Sequence, residues 1–500
     1  MSDSPSDSDM SAGLPPDAVP SAKVNYPAPK LSLPVKLAYG AGDFGAGLTS
    51  QFLAFFLLSF LIYVAGMSPE VAGSVLAIGK IWDAVNDPLV GMLSDRTKTR
   101  WGRRYPWMFL TAIPFGLSYF LIWTTPFAAD ASDTTKLWYY VIITTIFQIF
   151  FTTTNLPYTS LTAEMGRNYD EVTELTSFRL AFSVTGGVVI LLVAGIVGNT
   201  IPESQRALRY IVLGIIGGGL SVASIYWCIF GTFGYTKRQA IAERRPLNMD
   251  TGGEGETQEP FIEQLKTVVN NRPFLFVVAI YLCSWMALQV TAAVLPFYAV
   301  SWMGTDENLV ALLVQGPAIA LMFVCAAVSK RIGKKNLYFL GSAIWIPVQA
   351  ALYFLQPSQT NILFGLCIIA SFGVAVAYVV PWSILPDVID LDELKSGRRR
   401  EGTFYSFMTL LQKLGLAAGL YIVGVALGRS GFLEPALPGD PLPVQPESAL
   451  QAIRFFMGPV PLLFVVCAAV LVYFYPLTRE AHEEVMLKLA ERKRLNDMET

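Results

Sequence analysis

The sequence predicts an all-α membrane protein with twelve transmembrane helices in two six-helix halves. Of its 500 residues, 53% are hydrophobic and only 15% are charged, a balance typical of a polytopic membrane protein. The chain contains twelve apolar runs of about 20 residues, the length that crosses a bilayer as a helix. The basic sequence SDRTKTRWGRR follows the second run, and SKRIGKK follows the eighth, which indicates an internal repeat.

The apolar runs and the polar segments between them define the predicted organisation. We place helices at 36–65, 72–94, 106–125, 136–161, 176–199 and 208–233, then at 273–300, 308–328, 337–355, 361–386, 403–428 and 452–475. These form an N-terminal bundle at 36–235 and a C-terminal bundle at 273–478. Polar segments remain as a disordered tail at 1–35, a central loop at 236–272 and a second tail at 479–500.

The central loop ends in a short amphipathic sequence, PFIEQLKTVVNN. Its apolar residues fall on one helical face, opposite its charged and amide residues. A helix at the membrane interface and a helix docked on the protein itself both fit this pattern.

The basic loops predict the orientation of the chain in the membrane. Lys and Arg concentrate after the second, eighth and tenth runs, and such loops stay on the cytoplasmic side. Both termini are therefore expected in the cytoplasm. The first 30 residues lack the basic start and apolar core of a signal peptide, so a plasma or inner membrane is the default location.

The composition also argues against several function classes. The single histidine, His482, follows the last apolar run, which excludes a histidine metal site or a Ser-His-Asp triad within the membrane. Five cysteines in apolar stretches, an odd number, argue against a disulfide framework. We expect no enzymatic activity, no cofactor, no nucleic-acid partner and no obligate protein partner.

The second helix carries acidic residues where hydrocarbon is expected. In KIWDAVNDPLVG, Asp83 and Asp87 are four apart and share one helical face, with Asn86 at its edge. Pro88 lacks an N–H, which frees the carbonyl oxygen of Ala84. Each acid costs roughly 2.5 to 3.5 kcal/mol in mid-membrane, so a partner, a bound ion or protonation must compensate. A structural ion pair and a site for a coupling cation are the two interpretations.

KIWDAVNDPLVG, followed by RWGRRYPW, resembles the glycoside-pentoside-hexuronide:cation symporters of the major facilitator superfamily, typified by the melibiose/sodium symporter. The resemblance extends to YGAGDFG in helix 1, LPYTSL in helix 4, Arg179, LPDVIDLDELKSGRRREG after helix 10, and Lys413. It implies two six-helix halves that alternate in access about a midplane site. The implied activity is symport of a sugar or glycoside with Na⁺, or with H⁺ or Li⁺ as alternatives.

The resemblance also implies which residues bind the cation. The paired helix 2 aspartates and a helix 4 threonine correspond to Asp83, Asp87 and Thr152, with Lys413 linked to the same site; Asn86 joins them by its position. Lys413 lies about ten residues from the inner end of its span and Asp83 about eleven from the outer end of its own, so both are expected near the midplane. A plain ion pair remains the alternative role for Lys413. Lys80 matches a basic family residue but is expected nearer the outer face, where it could snorkel, and has no assigned role.

The substrate site is less well defined. Galactoside-transporting relatives carry a Lys-Asp pair in helix 1 and an aspartate before the helix 4 proline, whereas this chain has Ala46, Gly47 and Asn155. Galactoside specificity is therefore not expected. The resemblance ties Arg179 to the cavity and its inner gate, with a lipid-headgroup anchor as the alternative. The remaining candidates are Asn155, Thr159, Tyr378 and Trp382, with Trp285 and Gln289 as further cavity residues, and for the aromatic ones core packing is the competing explanation.

Two rival functions keep the same fold. An animal branch of the superfamily carries lysophospholipids with sodium and resembles this chain at the helix 2 aspartates and the helix 4 turn. A non-transporting sensor or scaffold predicts no solute flux and a partner bound to the central loop or the tails.

Overall fold

The computed structural model describes residues 31–97, 99–128, 131–166, 169–242, 266, 268–396, 400–435, 441–476, 481, 484–489 and 491. Every long regular element in this part of the chain is helical, which confirms the predicted all-α membrane fold. The N-terminal half contains α1 (Leu33–Tyr63), α2 (Pro69–Arg96), α3 (Tyr105–Ile122), α4 (Asp133–Met165), α5 (Tyr169–Thr200) and α6 (Arg206–Ala242).

The C-terminal half repeats this order of long helices. It contains α7 (Arg272–Phe297), which continues as a π-helical turn at Tyr298–Trp302, and then α8 (Glu307–Ile332), α9 (Lys334–Phe354), α10 (Thr360–Ser396), α11 (Glu401–Arg429), α12 (Glu447–Met457) and α13 (Pro459–Phe474).

Eleven stretches of the described chain are long and apolar enough to span a membrane, with α12 and α13 forming one stretch together. Helix α2 has 28 residues, enough for a span, but its charged residues lower its hydropathy. It completes the twelve predicted spans. Two of these charged residues, Asp83 and Asp87, belong to the predicted cation site.

Several helix boundaries differ from the prediction. Helix α5 begins at Tyr169 rather than near 176, α6 continues to Ala242 past the predicted bundle end at 235, and α10 continues to Ser396 rather than ending near 386. These extensions are polar, so a hydropathy window misses them although the helix continues beyond the apolar part. The predicted last span is also broken at Gly458, which separates α12 from α13 and is followed by Pro459 and Pro461.

Parts of the predicted tails and central loop lie outside the described residues, including most of 1–35, the first six residues of the amphipathic sequence (PFIEQL) and His482. The predicted first tail does extend too far, since α1 already begins at Leu33. Helical residues are also described at 484–489, within the predicted second tail.

The two halves meet mainly through the helix pairs α2 with α11, α1 with α7, and α5 with α8. Close packing concentrates at the end of the bundle that holds the α1–α2 connection. There the ring of Tyr63 lies 5.2 Å from that of Phe297. A Cβ on Gly424 would lie 2.8 Å from the Cα of Gly73, so α2 and α11 approach backbone to backbone. At this end the halves are therefore closed against each other.

Helices α1 and α5 pack even more closely within the N-terminal half. A Cβ on Gly47 would lie 1.9 Å from the carbonyl oxygen of Ser183, and one on Gly186 would lie 2.2 Å from the carbonyl oxygen of Phe44. Position 47 thus faces the backbone of α5 and leaves no room for a side chain. This packing gives a steric reason why position 47 carries no side chain.

Candidate cation and substrate sites

Lys413 on α11 joins both aspartates of α2. Its ammonium nitrogen lies 2.6 Å from Asp87 Oδ2 and 3.0 Å from Asp83 Oδ1. It donates hydrogen bonds to Asp87 Oδ2 and, at 3.3 Å, to the carbonyl oxygen of Asp83, whereas Asp83 Oδ1 lies close but out of line and has no hydrogen-bond partner. One side chain of the C-terminal half therefore neutralises part of a carboxylate pair in the N-terminal half.

Thr152 on α4 also lies in this cluster, and its role in binding a cation stays a prediction. Its hydroxyl donates to Asp87 Oδ1 at 3.1 Å, so three helices, α2, α4 and α11, meet at one carboxylate. Thr152 itself is buried. Its oxygen keeps lone pairs for a cation after donating to Asp87.

The other two predicted oxygen donors are arranged differently. The amide of Asn86 donates to the carbonyl oxygen of Gln148 on α4 at 3.3 Å, so this side chain links α2 to α4. Helix α2 continues through Pro88, as expected. The backbone carbonyl that accepts a hydrogen bond from Lys413 is that of Asp83, not that of Ala84. A role for Asn86 in cation binding stays a prediction.

Lys80 is a member of the cluster that sequence reasoning missed. Its ammonium lies 3.9 Å from Asp83 Oδ2, at the edge of the carboxylate pair, and its side chain is 32% exposed. The signal was present in the sequence, because Lys80 and Asp83 are three apart and share a helical face. With Asp83, Asp87, Lys80 and Lys413 in their usual charge states, two negative charges face two positive ones.

The two aspartates differ in their access to the surroundings. The side chain of Asp83 is 6% exposed, whereas that of Asp87, one turn nearer the α2–α3 connection, is 32% exposed. Asp87 is therefore the more accessible of the two, and the halves pack together at the α1–α2 end.

Arg179 lies in the N-terminal half against helix α1. Its Nε lies 3.7 Å from Asp43 Oδ2, and both side chains are largely buried. Nearby, the hydroxyl of Tyr158 donates to the carbonyl oxygen of Tyr39 at 2.8 Å, and the Tyr39 hydroxyl contacts that of Thr162. Burial beside an acid does not fit the alternative that Arg179 anchors a lipid headgroup at the surface.

Asn155 and Thr159 lie on α4, beyond Thr152. Asn155 Oδ1 is buried and has no hydrogen-bond partner, which leaves an acceptor for a ligand hydroxyl. The hydroxyl of Thr159 donates to the carbonyl oxygen of Leu156 at 2.9 Å and keeps only acceptor capacity.

The predicted aromatic residues lie in the C-terminal half and pack against one another. The ring of Tyr378 lies 5.7 Å from that of Trp285, edge to face, and the ring of Trp382 lies 5.3 Å from Tyr281 and 6.0 Å from Tyr405. Tyr378 and Gln289 also line a cavity between α7, α8, α9 and α10, whereas Trp382 does not. The predicted substrate residues therefore form one group on α4 and α5 and another on α10.

The cavity has two further amide residues that the sequence analysis did not select, Gln315 and Gln349. Each is a polar residue in an apolar run, a pattern that can mark a functional position even where no carboxylate is present.

A family model described as "MFS/sugar transport protein" matches residues 38–479. The chain belongs to this family. An uncharacterized symporter of Synechocystis is 41% identical over 94% of this chain and 98% of its own length.

Other similar proteins are also named as symporters. The sodium-dependent lysophosphatidylcholine symporter 1 of Gallus gallus is 27% identical, with 95% of this chain and 92% of that protein covered. The inner membrane symporter YicJ of Escherichia coli is 25% identical, with 93% and 96% covered. A crystal structure of a D-xylose-proton symporter covers 89% of this chain and 98% of its own at a TM-score of 0.61 and 15% identity, which shows the shared fold.

These findings confirm the predicted family and fold. The chain is a multi-pass symporter of the major facilitator superfamily that resembles the glycoside-pentoside-hexuronide branch, and it moves a small-molecule solute across a bilayer.

Proposed function

We propose that this family member couples the movement of a cation to symport of a sugar or glycoside by alternating access of its two halves. The observation that carries the proposal is the contact of Lys413 with both Asp83 and Asp87. The contact joins a helix of one half to a helix of the other. A ligand that changes it acts directly on the interface between the halves.

In this mechanism the coupling cation competes with the Lys413 ammonium for the carboxylates. An entering cation reaches Asp87 first, because this aspartate is the more exposed of the pair. Displacing the ammonium loosens the α2–α11 contact, while the cation holds the carboxylates and the Thr152 hydroxyl together. By linkage, a substrate that favours the rearranged halves raises cation affinity by the same factor as the cation raises substrate affinity.

Na⁺ is the proposed coupling ion, with H⁺ or Li⁺ as alternatives. Carboxylate, hydroxyl and carbonyl oxygens are hard donors that suit a small hard cation. Thr152 and the two carboxylates supply such oxygens, and Asn86 directly precedes Asp87 on α2. The relatives named sodium-dependent lysophosphatidylcholine symporters support the same ion.

We further propose that the central loop at 236–272 separates the two bundles, and that this loop and both termini face the cytoplasm. In this orientation the α1–α2 end is the outer face. The described conformation is then closed to the outside and open to the cytoplasm. Asn155, Thr159 and Arg179 in one half, and Tyr378 and Trp382 in the other, are the proposed substrate contacts.

A lysophospholipid symporter is the second candidate function. The observation that favours it is the match to the Gallus gallus lysophosphatidylcholine symporter over 95% of this chain. Such a cargo needs an apolar path for the acyl chain that is open to the bilayer, whereas a sugar needs a cavity closed to lipid.

The two functions are separated by uptake into proteoliposomes. Labelled sugars, glucuronides and lysolipids are tested under an inward sodium gradient, an inward proton gradient and no gradient. Sugar uptake that one gradient accelerates supports the proposal and names the ion. Lipid uptake assigns the second function, and flux of no solute under any gradient contradicts both.

A further inference from the structure

A surface groove lies between the α2–α3 connection and the first turns of α3. It has a volume of about 240 Å³. Its lining residues are Thr99, Arg100, Trp101, Pro106, Phe109 and Leu110. None of these residues belongs to the cation cluster or to the cavity in the C-terminal half, and Arg100 is the one charged residue among them. The groove is therefore apolar, with a single cation in its wall.

Arg100 is available to a ligand, unlike two of its neighbours in the same connection. Arg103 and Arg104 are buried, and their Nε atoms lie 2.8 Å and 3.3 Å from Glu164 Oε1. Arg100 is exposed, and within the described part of the chain its side chain has no hydrogen-bond or ion-pair partner. A guanidinium binds a phosphate through two parallel N–H donors. The wall of the groove thus presents a group that suits a phosphate.

Trp101 is held in the groove by the turn that precedes α3. Its backbone N–H donates to Thr99 Oγ1 at 3.1 Å, and the Thr99 hydroxyl donates to the carbonyl oxygen of Gly102 at 2.7 Å. Gly102 has a φ of +87°, in the left-handed region that this turn requires. The indole packs edge to face on Phe109, with ring centroids 5.5 Å apart, yet Trp101 is 40% exposed. A fixed, half-exposed indole suits the level at which headgroups meet hydrocarbon.

An apolar stripe continues from the groove along α3. Leu110, Ile113 and Leu117 share one helical face and are 70%, 58% and 55% exposed. The stripe covers about 10 Å of helix length. Leu110 belongs to both the groove and the stripe, so the two surfaces are continuous. A cation, an interfacial ring and a hydrocarbon surface follow one another in the order of a phospholipid from headgroup to acyl chain.

The charge of Arg100 favours one class of phospholipid. An acyl chain that leaves the stripe remains in hydrocarbon, so the stripe fits a chain but gives little preference for one lipid over another. The preference therefore has to come from the headgroup. A zwitterionic headgroup brings its own cation to the phosphate, whereas an anionic headgroup carries a net charge that attracts a basic side chain. No acidic residue among those lining the groove opposes that attraction.

We propose that this groove binds an anionic phospholipid, with its phosphate on Arg100, its glycerol region beside Trp101 and an acyl chain along the α3 stripe. This lipid is a resident ligand and not the transported solute, so the inference depends neither on the cargo nor on the coupling ion. The site adjoins the helix that carries the aspartates, because Arg104 of the same connection donates to Ser94 Oγ of α2 at 2.6 Å.

The test measures lipid contact with Trp101 in bilayers that contain the full-length protein. Phospholipids with dibrominated acyl chains quench nearby tryptophans, and dibrominated phosphatidylglycerol or phosphatidylcholine replaces unlabelled phosphatidylcholine stepwise. The chain has ten tryptophans, so each protein is measured with and without Trp101→Phe, and the difference is the signal of Trp101. The test variant is Arg100→Gln. Arg331→Gln is the matched control, since Arg331 is an exposed arginine at the corresponding end of α8.

We expect dibrominated phosphatidylglycerol to quench Trp101 at a lower mole fraction than dibrominated phosphatidylcholine does. The preference should be about fivefold, which corresponds to about 1 kcal/mol for one basic residue at the membrane surface. Arg100→Gln should abolish the preference and Arg331→Gln should retain it. Arg100→Lys keeps the charge without the planar fork and should retain part of it.

Three outcomes would overturn the inference. Equal quenching by the two lipids in the wild type would mean that only bulk lipid touches the groove. A preference that survives unchanged in Arg100→Gln would place the anionic lipid elsewhere. A preference that millimolar inorganic phosphate removes, while NaCl of the same ionic strength does not, would assign Arg100 to a free anion. Solute uptake is not part of the readout, so failure of the proposed symport leaves this result intact.

Discussion

The ammonium of Lys413 lies 2.6 Å from Asp87 Oδ2, and this contact spans two helices that are more than three hundred positions apart in the chain. Through it the acidic pair of the N-terminal half is partly neutralised by the C-terminal half. The proposed coupling depends on this contact being broken and remade in each cycle.

Asp87→Asn should abolish gradient-driven uptake while the protein still folds. The amide keeps the shape of the carboxylate but removes the charge that holds the cation, and the partial exposure of Asp87 limits the structural cost. Uptake is measured in proteoliposomes and folding by size-exclusion chromatography. Asp83→Asn should have the same effect on uptake, and Glu484→Gln, at an exposed position, should have none. Normal driven uptake in either aspartate variant would rule out the proposed cation site.

Lys413→Met should lower the free energy of unfolding by about 1–3 kcal/mol, because it removes a cation from a buried carboxylate pair. Adding Asp87→Asn should restore part of that loss, so the double-mutant cycle should give a coupling energy of about 1–3 kcal/mol. Sodium should also stabilise Lys413→Met more than it stabilises the wild type, since the tethered competitor is gone. These quantities are measured by thermal unfolding with and without NaCl. A smaller sodium effect in the variant would contradict competition between the ammonium and the cation.

Thr152→Val should raise the sodium concentration for half-maximal uptake about five- to tenfold. The valine has the same shape but cannot donate to Asp87 or bind a cation, a loss of about 1 kcal/mol. Thr152→Ser retains the hydroxyl and is the matched control, with sodium dependence close to wild type. An identical sodium dependence in the valine and serine variants would exclude Thr152 from the site.

Gly47→Ser should destabilise the protein by about 1–3 kcal/mol or prevent its accumulation, because its Cβ would overlap the carbonyl oxygen of Ser183. Gly195→Ser on the same pair of helices is the control, since its Cβ would have no neighbour within 4 Å. Melting temperature and membrane yield report the difference. Equal stability of the two variants would show that α1 and α5 are farther apart than described.

Gly424→Leu should shift the protein away from the conformation that is closed at the α1–α2 end, because the new side chain would meet Pro69 and Gly73 of α2. In a background without the native cysteines, Ser301→Cys reports this end, since the Ser301 hydroxyl lies 2.8 Å from that of Tyr63. Labelling by an impermeant maleimide should become about fivefold faster, a shift of about 1 kcal/mol. Gly365→Leu is the control, because a Cβ at this position would have no neighbour within 4 Å, and it should leave the labelling rate unchanged. An unchanged rate in Gly424→Leu would show that the two halves do not close at this end.

Local patterns predicted the features that depend on one helix at a time. The apolar runs predicted the spans, and the four-residue spacing of Asp83 and Asp87 predicted a shared face. The extended ends of α6 and α10 were missed because polar residues continue a helix without contributing to hydropathy. The resemblance, rather than spacing, brought Thr152 and Lys413 to the same carboxylates.

Features that depend on how helices rotate and pack were not predictable in the same way. The spacing of Lys80 and Asp83 places them on one helical face, but whether the ammonium turns to Asp83 or to the membrane surface depends on how α2 packs. The grouping of Gln289, Gln315 and Gln349 requires three helices to converge, and no spacing in the sequence indicates that. The absence of a side chain at position 47 could be read from the sequence, but its steric reason requires the distance between α1 and α5.

The contact of Lys80 with Asp83 has an electrical consequence for the proposed cycle. With two lysines facing two aspartates, the unloaded cluster carries no net charge, so its return across the membrane moves little charge through the field. With a cation bound, the same movement carries one positive charge, and a potential of 100 mV contributes roughly 2.3 kcal/mol to it. The membrane voltage would then act on the loaded step and leave the return step to proceed at a rate that is nearly independent of voltage.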